Sequence, residues 1–262
     1  MRFSPLDRYV FDCRGWVLFE DVVAAAEVAE LRDAIAARQL PRAGATVDQQ
    51  RFGEHGELLG WHEGFRALID HPLVLDSLRQ LVGPTARLDH SYGIVMRPGT
   101  SGLGLHGPVQ PFDPSQFYVH RGGQMWNGMV AFSWALTDAR PGDGGFGCIS
   151  GSHRAEEPLP PGAERIVEEV PQRAGSLVVF TEALFHCTVP WNGQEDRYSL
   201  LFKYCPGNSA WARRPPAPPD VVAMLSDRQR VLVEPPAVEG HPPLPAPGPE
   251  RASSLWRSRK AR

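Results

Sequence analysis

The amino-acid sequence predicts a mostly β fold, a sandwich or a barrel, with helices covering one face. Three observations support this prediction. Short runs rich in branched and aromatic residues follow one another from Ala86 to Cys205, and turn residues divide them. Amphipathic helical patterns occur mainly before residue 84. The 262 residues include 26 glycines and 26 prolines, which suits many short elements joined by turns better than a helical bundle.

The N-terminal part is predicted to hold a strand and two helices. Gly15–Val23 is rich in branched and aromatic residues and predicts a strand. Residues 24–40 carry apolar side chains at helical spacing among alanines, which favour helix. Residues 41–60 are polar and glycine-rich and predict a loop. His71–Gly83 is a second amphipathic pattern, which Gly83 and Pro84 end. The predicted N-terminal helices thus lie within residues 20–83.

The β core is predicted over residues 86–205, and a different composition follows it. Its strand-like runs are "ARLDHSYGIVMRPG", "NGMVAFSWALTD", "ERIVEEVPQ", "GSLVVFTEALF" and "RYSLLFKYC". Residues 206–262 form a proline-rich C-terminal extension with one short helix within 220–233. We expect the last ~25 residues to lack a packed core of their own.

Composition argues against several classes of partner and compartment. The net charge is -3, which gives no reason to expect nucleic acid or a charged membrane surface as a partner. No run approaches the ~20 apolar residues of a membrane helix, and the N-terminus does not resemble a signal peptide. The four cysteines form no C-x-x-C pair. We therefore expect a soluble cytoplasmic protein with free thiols.

Two histidines and an arginine stand out for their positions. His106 follows the glycine-rich stretch "SGLGL", and His186 follows the apolar strand pattern "GSLVVFTEALF". Two histidines and a carboxylate on one triangular face are a common ligand set for non-haem iron. Arg197 opens the next strand pattern, where its planar fork would suit a carboxylate. Ser199 would point the same way, because side chains alternate along a strand.

These segments resemble the phytanoyl-CoA dioxygenase family of Fe(II)/2-oxoglutarate oxygenases. The resemblance rests on "GDGGFGCISGSH" together with "AGSLVVFTEALFHCTVPWNGQEDR", and on the early "FDCRGWVLFEDVVAAAEVAELRDAI". It covers roughly residues 8–205 and implies a single oxygenase domain over 1–205 with a double-stranded β-helix (jelly-roll, cupin-like) core. It also implies Fe(II) and 2-oxoglutarate as cofactors. The residues it implies for the metal and the 2-oxoglutarate site, besides a carboxylate, are His106, His186, Arg197, Ser199, Thr188 and Trp134.

The sequence departs from the family at the first motif. The usual His-x-Asp would require Asp at position 108, which is Pro108, and a proline side chain cannot bind a metal. Asp113, in "QPFDP", is the predicted third metal ligand and completes the catalytic set with His106 and His186. Three alternatives stay open. Glu182 could replace Asp113, the carboxylate could be missing with chloride in its place, or the site could be inactive.

The resemblance implies an enzyme that hydroxylates a small organic molecule and releases succinate and carbon dioxide. The alternatives are a metal-free jelly-roll binding protein and a 2-oxoglutarate-dependent halogenase. We expect residues 108–125 and 41–64 to frame the mouth of the pocket. Arg121 and Arg154 are candidates to meet an acid group of the substrate. A small molecule is therefore the expected partner, and neither nucleic acid nor membrane is.

Overall fold

The computed structural model describes residues 1–41, 49–108, 113, 115–246 and 256. Its strands are β1 Trp16–Phe19, β2 Gln50–Phe52, β3 Arg87–Met96, β4 Leu103–His106, β5 Tyr118–Arg121, β6 Gln124–Asn127, β7 Val130–Ala135, β8 Gly145–Cys148, β9 Glu168–Glu169, β10 Leu177–Thr181, β11 His186–Val189 and β12 Arg197–Cys205. Its α-helices are α1 Pro5–Arg14, α2 Ala25–Ala36, α3 Leu58–Trp61, α4 Glu63–Ile69, α5 Pro72–Leu81, α6 Pro219–Met224 and α7 Asp227–Arg230.

The strands form two main sheets and a hairpin. The larger sheet has the order β1-β10-β7-β12-β3-β2, the smaller has the order β4-β11-β8-β9, and β5 pairs with β6. From β3 to β12, apart from this hairpin, most successive strands alternate between the two main sheets. Such alternation is typical of a jelly roll. The predicted double-stranded β-helix core with flanking helices is confirmed.

The two faces of the larger sheet have different roles. Along β7, Phe132 and Trp134 pack with the buried residues of the helices, such as Leu75 and Leu78 of α5. Ala131 belongs to a separate apolar cluster with Phe146 of the smaller sheet. Because strand side chains alternate, one face supports the helical layer and the other faces the barrel interior.

The first helix was not predicted from the sequence, although its signals are present. In α1, the Ser4 hydroxyl accepts from the backbone N–H of Asp7, and the Asp7 carboxylate accepts from the backbone N–H of Ser4. This is a capping box, which favours the start of a helix. Gly15 ends the helix with a φ of 81°, in the left-handed region that glycine adopts readily. Phe11 is the residue of α1 that the core buries completely.

Several short elements also differ from the prediction. The predicted loop 41–60 contains β2, and its end overlaps α3. His106, which follows a glycine-rich stretch of the sequence, lies at the end of a strand, β4. The segment expected to frame the pocket mouth contains the β5–β6 hairpin. These strands are three or four residues long, which is too short for the alternation of side chains to be recognised in the sequence.

The proline-rich C-terminal extension packs against the rest of the chain. It has two short helices, α6 and α7, where one was predicted. Leu225, Leu232 and Leu244 are buried in the main hydrophobic core, and so is Trp256. Of the last ~25 residues, Leu244 and Trp256 share the core of the main domain, and residues 247–255 and 257–262 lie outside the described part of the chain.

Two further expectations concern free thiols and membrane-spanning helices. All four cysteines are free, and Cys13 is the exposed one. Among the described residues, no helix has both the length and the apolar character needed to span a bilayer.

Candidate active site

The site is built on the pairing of two short strands of the smaller sheet. His106 ends β4 and His186 begins β11, and the two residues are directly opposite each other in the antiparallel ladder. Their ring centroids are 4.3 Å apart. Although 79 positions separate them in the sequence, the ladder brings the two imidazoles into contact.

Both imidazoles are oriented by the same kind of hydrogen bond. Nδ1 of His106 lies 2.9 Å from the carbonyl oxygen of Gly104, and Nδ1 of His186 lies 2.8 Å from that of Leu184. A carbonyl oxygen can only accept, so each Nδ1 donates. In the neutral ring, Nε2 then keeps its lone pair, which is the form of histidine that binds metals.

Burial keeps His186 neutral. The ring is 6% exposed, and burial lowers its pKa to about 4 although the charge of Glu182 acts in the opposite direction. The rings of Phe180 and Phe146 lie 4.9 Å and 6.3 Å from it. At neutral pH the Nε2 lone pair of His186 is therefore available without prior loss of a proton.

The two histidines line a cavity between the sheets, where about 500 Å³ is free of protein atoms, including space open to the solvent. Its apolar and polar walls come from both sheets and from the residues around β2. The lining residues are Gln49, Arg51, Tyr92, Ile94, Leu103, His106, Ser133, Phe146, Phe180, His186, Cys187, Thr188, Arg197, Ser199, Leu201 and Lys203. No Asp or Glu is among these described lining residues.

Arg197 is a buried cation in the same cavity. It is 4% exposed, and burial lowers its pKa to about 10, so it remains charged at neutral pH. Its Nη1 lies 3.4 Å from Ser199 Oγ and 3.6 Å from Met96 Sδ. Within the described part of the chain, no carboxylate forms an ion pair with it. A buried guanidinium without a counter-ion is well suited to bind an anionic ligand.

The structure places the predicted cosubstrate residues on two different faces. Ser199 and Thr188 line the cavity, and the Thr188 hydroxyl donates to Gln49 Oε1 at 2.7 Å. Trp134 does not. Its ring packs against His71 on the helical side of the sheet, with centroids 5.5 Å apart. The prediction that Trp134 lines the cavity is wrong. Side chains alternate along β7, so Ser133 faces the cavity and Trp134 faces the helices.

Neither candidate carboxylate reaches the histidine pair. Asp113 accepts from the backbone N–H and the hydroxyl of Ser115, at 2.8 Å and 2.6 Å, as a turn-capping residue does. Glu182 is 2% exposed and pairs with Lys203, Oε1 to Nζ 2.9 Å. Among the described residues, no three His, Cys, Asp or Glu side chains are grouped as metal ligands would be. The geometry therefore brings together two of the three predicted ligands.

A family model matches most of the chain. The model described as "Phytanoyl-CoA dioxygenase (PhyH)" matches residues 11–198. The chain belongs to the phytanoyl-CoA dioxygenase family. The resemblance inferred from the sequence is thus confirmed, and the match includes His106, His186 and Arg197. No curated protein matches the chain.

Solved structures of similar fold include HygX and two enzymes of nogalamycin biosynthesis. HygX from Streptomyces hygroscopicus, crystallised with nickel and 2-oxoglutarate, is 25% identical with a TM-score of 0.70, and the alignment covers 83% of this chain and 93% of HygX. The epimerase SnoN of nogalamycin biosynthesis is 21% identical with a TM-score of 0.59, covering 77% and 81%. The carbocyclase SnoK of the same biosynthesis is 19% identical with a TM-score of 0.61, covering 85% and 91%. SnoN and SnoK share the fold with this member of the family.

Among the lining residues of the cavity that were not predicted from the sequence are Arg51, Tyr92 and Lys203. A signal for Lys203 was present. It follows Arg197 and Ser199 at even spacing in the same strand pattern, so alternation puts it on the same face. Arg51 lay in a predicted loop, where no periodicity could show its direction. The predicted acid-binding Arg121 and Arg154 do not line the cavity.

Proposed function

We propose that the chain is an Fe(II)/2-oxoglutarate-dependent dioxygenase that hydroxylates a small organic molecule, with release of succinate and carbon dioxide. One observation carries the proposal. Two imidazoles with free Nε2 lone pairs and a buried arginine, which has no carboxylate partner among the described residues, line the same cavity. 2-Oxoglutarate chelates a metal through its keto acid end and carries a second carboxylate at its far end. The histidine pair would bind the metal, and the arginine would bind the second carboxylate. The binding of nickel and 2-oxoglutarate by HygX supports the proposal.

The residues divide the work between the two ends of the cavity. His106 and His186 would hold the metal through Nε2. Arg197 would bind the distal carboxylate of 2-oxoglutarate, with Ser199 and Thr188 available as hydrogen-bond donors beside it. When bound, Fe(II) with 2-oxoglutarate supplies an oxidant strong enough for an unactivated C–H bond. Phe146 and Phe180 present apolar surface beside His186, which helps to exclude water.

Asp113 remains our proposed third ligand. Its carboxylate would have to leave Ser115, whose backbone N–H and hydroxyl could then be satisfied by water. Glu182 is a weaker candidate, because its charge is already balanced by Lys203 and it does not line the cavity. The four free cysteines agree with the cytoplasmic location that we propose.

The proposal is tested by anaerobic titration with Fe(II) and then 2-oxoglutarate. We expect a weak visible charge-transfer band that needs both additions, and slow succinate formation once oxygen is admitted. If neither the band nor succinate is seen with purified, folded protein, the chain is a jelly-roll binding protein without this chemistry.

Halogenation is a second candidate, favoured by the lack of a carboxylate among the described lining residues. Chloride would then take the position of the third ligand. The same titration distinguishes the two activities. A charge-transfer band that shifts on addition of chloride, together with full iron affinity in Asp113→Ala, supports halogenation. A band that does not shift on addition of chloride supports hydroxylation.

A further inference from the structure

The cavity has a second cationic region, at the end opposite to Arg197. Lys203 lies six residues after Arg197 on β12 and faces the same way, so their Cα atoms are roughly 20 Å apart. Lys203 is directly opposite Ala131, which is directly opposite Phe180 on the next strand. The Phe180 ring is the one 4.9 Å from His186. Lys203 therefore lies at the end of the cavity that holds the two histidines.

Lys203 is held as a charged donor at this end. Its side chain is 11% exposed, and its ammonium pairs with the buried Glu182 at 2.9 Å. Burial acts to lower the pKa of Lys203, but the negative charge of Glu182 and the hydrogen bond to it outweigh burial, so the pKa is raised. An ammonium has three N–H donors. The pair with Glu182 uses one donor and leaves others for a ligand in the cavity that Lys203 lines.

Arg51 adds a second cation beside Lys203. The Arg51 guanidinium lies over the Tyr92 ring, 4.3 Å from its centroid, and the Lys203 ammonium lies 5.9 Å from the same centroid. Stacking on Tyr92 fixes the direction of the Arg51 fork. Its ion pair with Glu54 is long, 3.7 Å, and both side chains are about half exposed, so this pair neutralises little of its charge.

The positive charges of the site exceed the negative charges that the protein and 2-oxoglutarate would supply. Glu182 balances Lys203, and the distal carboxylate of 2-oxoglutarate would balance Arg197. The other carboxylate of 2-oxoglutarate and the carboxylate of Asp113, our proposed third ligand, would balance the +2 charge of the metal. The charge of Arg51 remains, and no described lining residue is acidic. A cavity of one sign concentrates ligands of the opposite sign.

We propose that Arg51 and Lys203 bind an acid group of the primary substrate, a carboxylate or a phosphate, at the histidine end of the cavity while 2-oxoglutarate occupies the Arg197 end. This inference rests on the proposed function and adds the class of substrate to it. Tyr92, between the two cations, would contact the carbon skeleton next to the acid group.

The test uses a matched pair of probes, phenylacetate and phenylacetamide, which differ in charge and little in shape. The full chain is loaded with Ni(II) and saturating 2-oxoglutarate, and the Kd of each probe is measured by calorimetry or ligand-observed NMR. We expect phenylacetate to bind about tenfold more tightly than phenylacetamide. Arg51→Gln should remove most of this preference, whereas Arg173→Gln, at an exposed site outside the cavity, should leave it unchanged.

Lys203 needs a paired variant, because Lys203→Met alone would leave Glu182 buried without its counter-ion. In Glu182→Gln/Lys203→Met both charges are removed. We expect this variant to fold and, when loaded with Ni(II) and saturating 2-oxoglutarate, to lose the preference for the acid.

The outcomes separate this inference from the proposed function. Equal affinities for the acid and the amide, with 2-oxoglutarate bound, overturn the inference alone. The inference is also overturned if saturating 2-oxoglutarate abolishes phenylacetate binding, because the acid then occupies the Arg197 end. Failure of Ni(II) and 2-oxoglutarate to bind the wild-type chain counts against the proposed function itself.

Discussion

His106 and His186 are opposite each other on neighbouring antiparallel strands, with ring centroids 4.3 Å apart and each Nδ1 bonded to a carbonyl oxygen two residues earlier in the chain. The backbone therefore determines the tautomer and the direction of both rings. Such a pair is organised before any ligand arrives, so little conformational entropy remains to be lost on metal binding. The consequence is that each ring should contribute strongly to metal affinity.

Replacement of either histidine should weaken metal binding. We expect His106→Ala and His186→Ala each to raise the Kd for Ni(II) by at least about 100-fold, because each removes one of the few ligands. His120→Ala is the matched control, since His120 lies near Asp12 and outside the cavity. Calorimetric titration of the three variants gives the comparison. Unchanged affinity in both single variants would exclude the histidine pair as the metal site.

Arg197 should govern affinity for 2-oxoglutarate and not for the metal. Arg197→Met removes the buried guanidinium, and we expect the Kd of 2-oxoglutarate on the Ni(II)-loaded chain to rise by about 100-fold. Arg197→Lys should recover only part of the loss, because an ammonium lacks the planar fork. Ni(II) affinity without 2-oxoglutarate should stay within about threefold of wild type. A uniform loss of both affinities would instead indicate that Arg197 supports the fold.

Long strands were predicted more completely from the sequence than short ones. β12 and β3 have nine or ten residues, and their apolar runs predicted both strands and the direction of Arg197 and Ser199. β4, β8 and β11 have four residues each, and together they form the wall that carries both histidines. Their pairing is long-range, so local pattern could not show it. The family resemblance, rather than periodicity, identified His106 and His186.

The incorrect predictions about the site residues also have physical reasons. Trp134 was predicted to line the cavity, but β7 is buried on both faces and gives no apolar–polar alternation to show which face is inward. The sequence left two candidate carboxylates, and the structure gives each a different partner. Asp113 caps a local turn with Ser115, whereas Glu182 pairs with Lys203 on a distant strand, a contact that only the tertiary structure reveals.

Gly145 should be sensitive to a single added methyl group. Its φ is 98°, and a Cβ atom there would lie 2.8 Å from Nε of Arg197. Gly145→Ala should therefore displace the guanidinium and raise the Kd of 2-oxoglutarate by about tenfold. Gly123→Ala is the control for backbone strain, because Gly123 also has a positive φ, 77°, and open space around it. Calorimetry with Ni(II)-loaded protein measures both. Equal effects of the two substitutions on 2-oxoglutarate binding would argue against a contact between Gly145 and Arg197.

The pH dependence of stability should reflect two buried histidines. Burial lowers the pKa of His186 and of His153 from 6.5 to about 4 in the folded chain. Between those values the unfolded chain binds more protons, so the free energy of unfolding falls as pH falls. At about pH 5 each histidine should cost about 2 kcal/mol relative to neutral pH, while carboxylates with lowered pKa values still contribute their stability.

Urea unfolding of the metal-free chain at about pH 7.5 and about pH 5 measures this loss. His153 lies outside the cavity, with Nε2 3.1 Å from the carbonyl oxygen of Asp12 and its ring 4.6 Å from that of Tyr118. His153→Phe should therefore remove about half of the pH-dependent loss and leave Ni(II) affinity intact, because a phenyl ring does not titrate. Ni(II) should make the remaining loss steeper, because protonation of His186 then also competes with metal binding. A free energy of unfolding that is the same at both pH values would mean that these rings are charged in the folded chain or accessible to water.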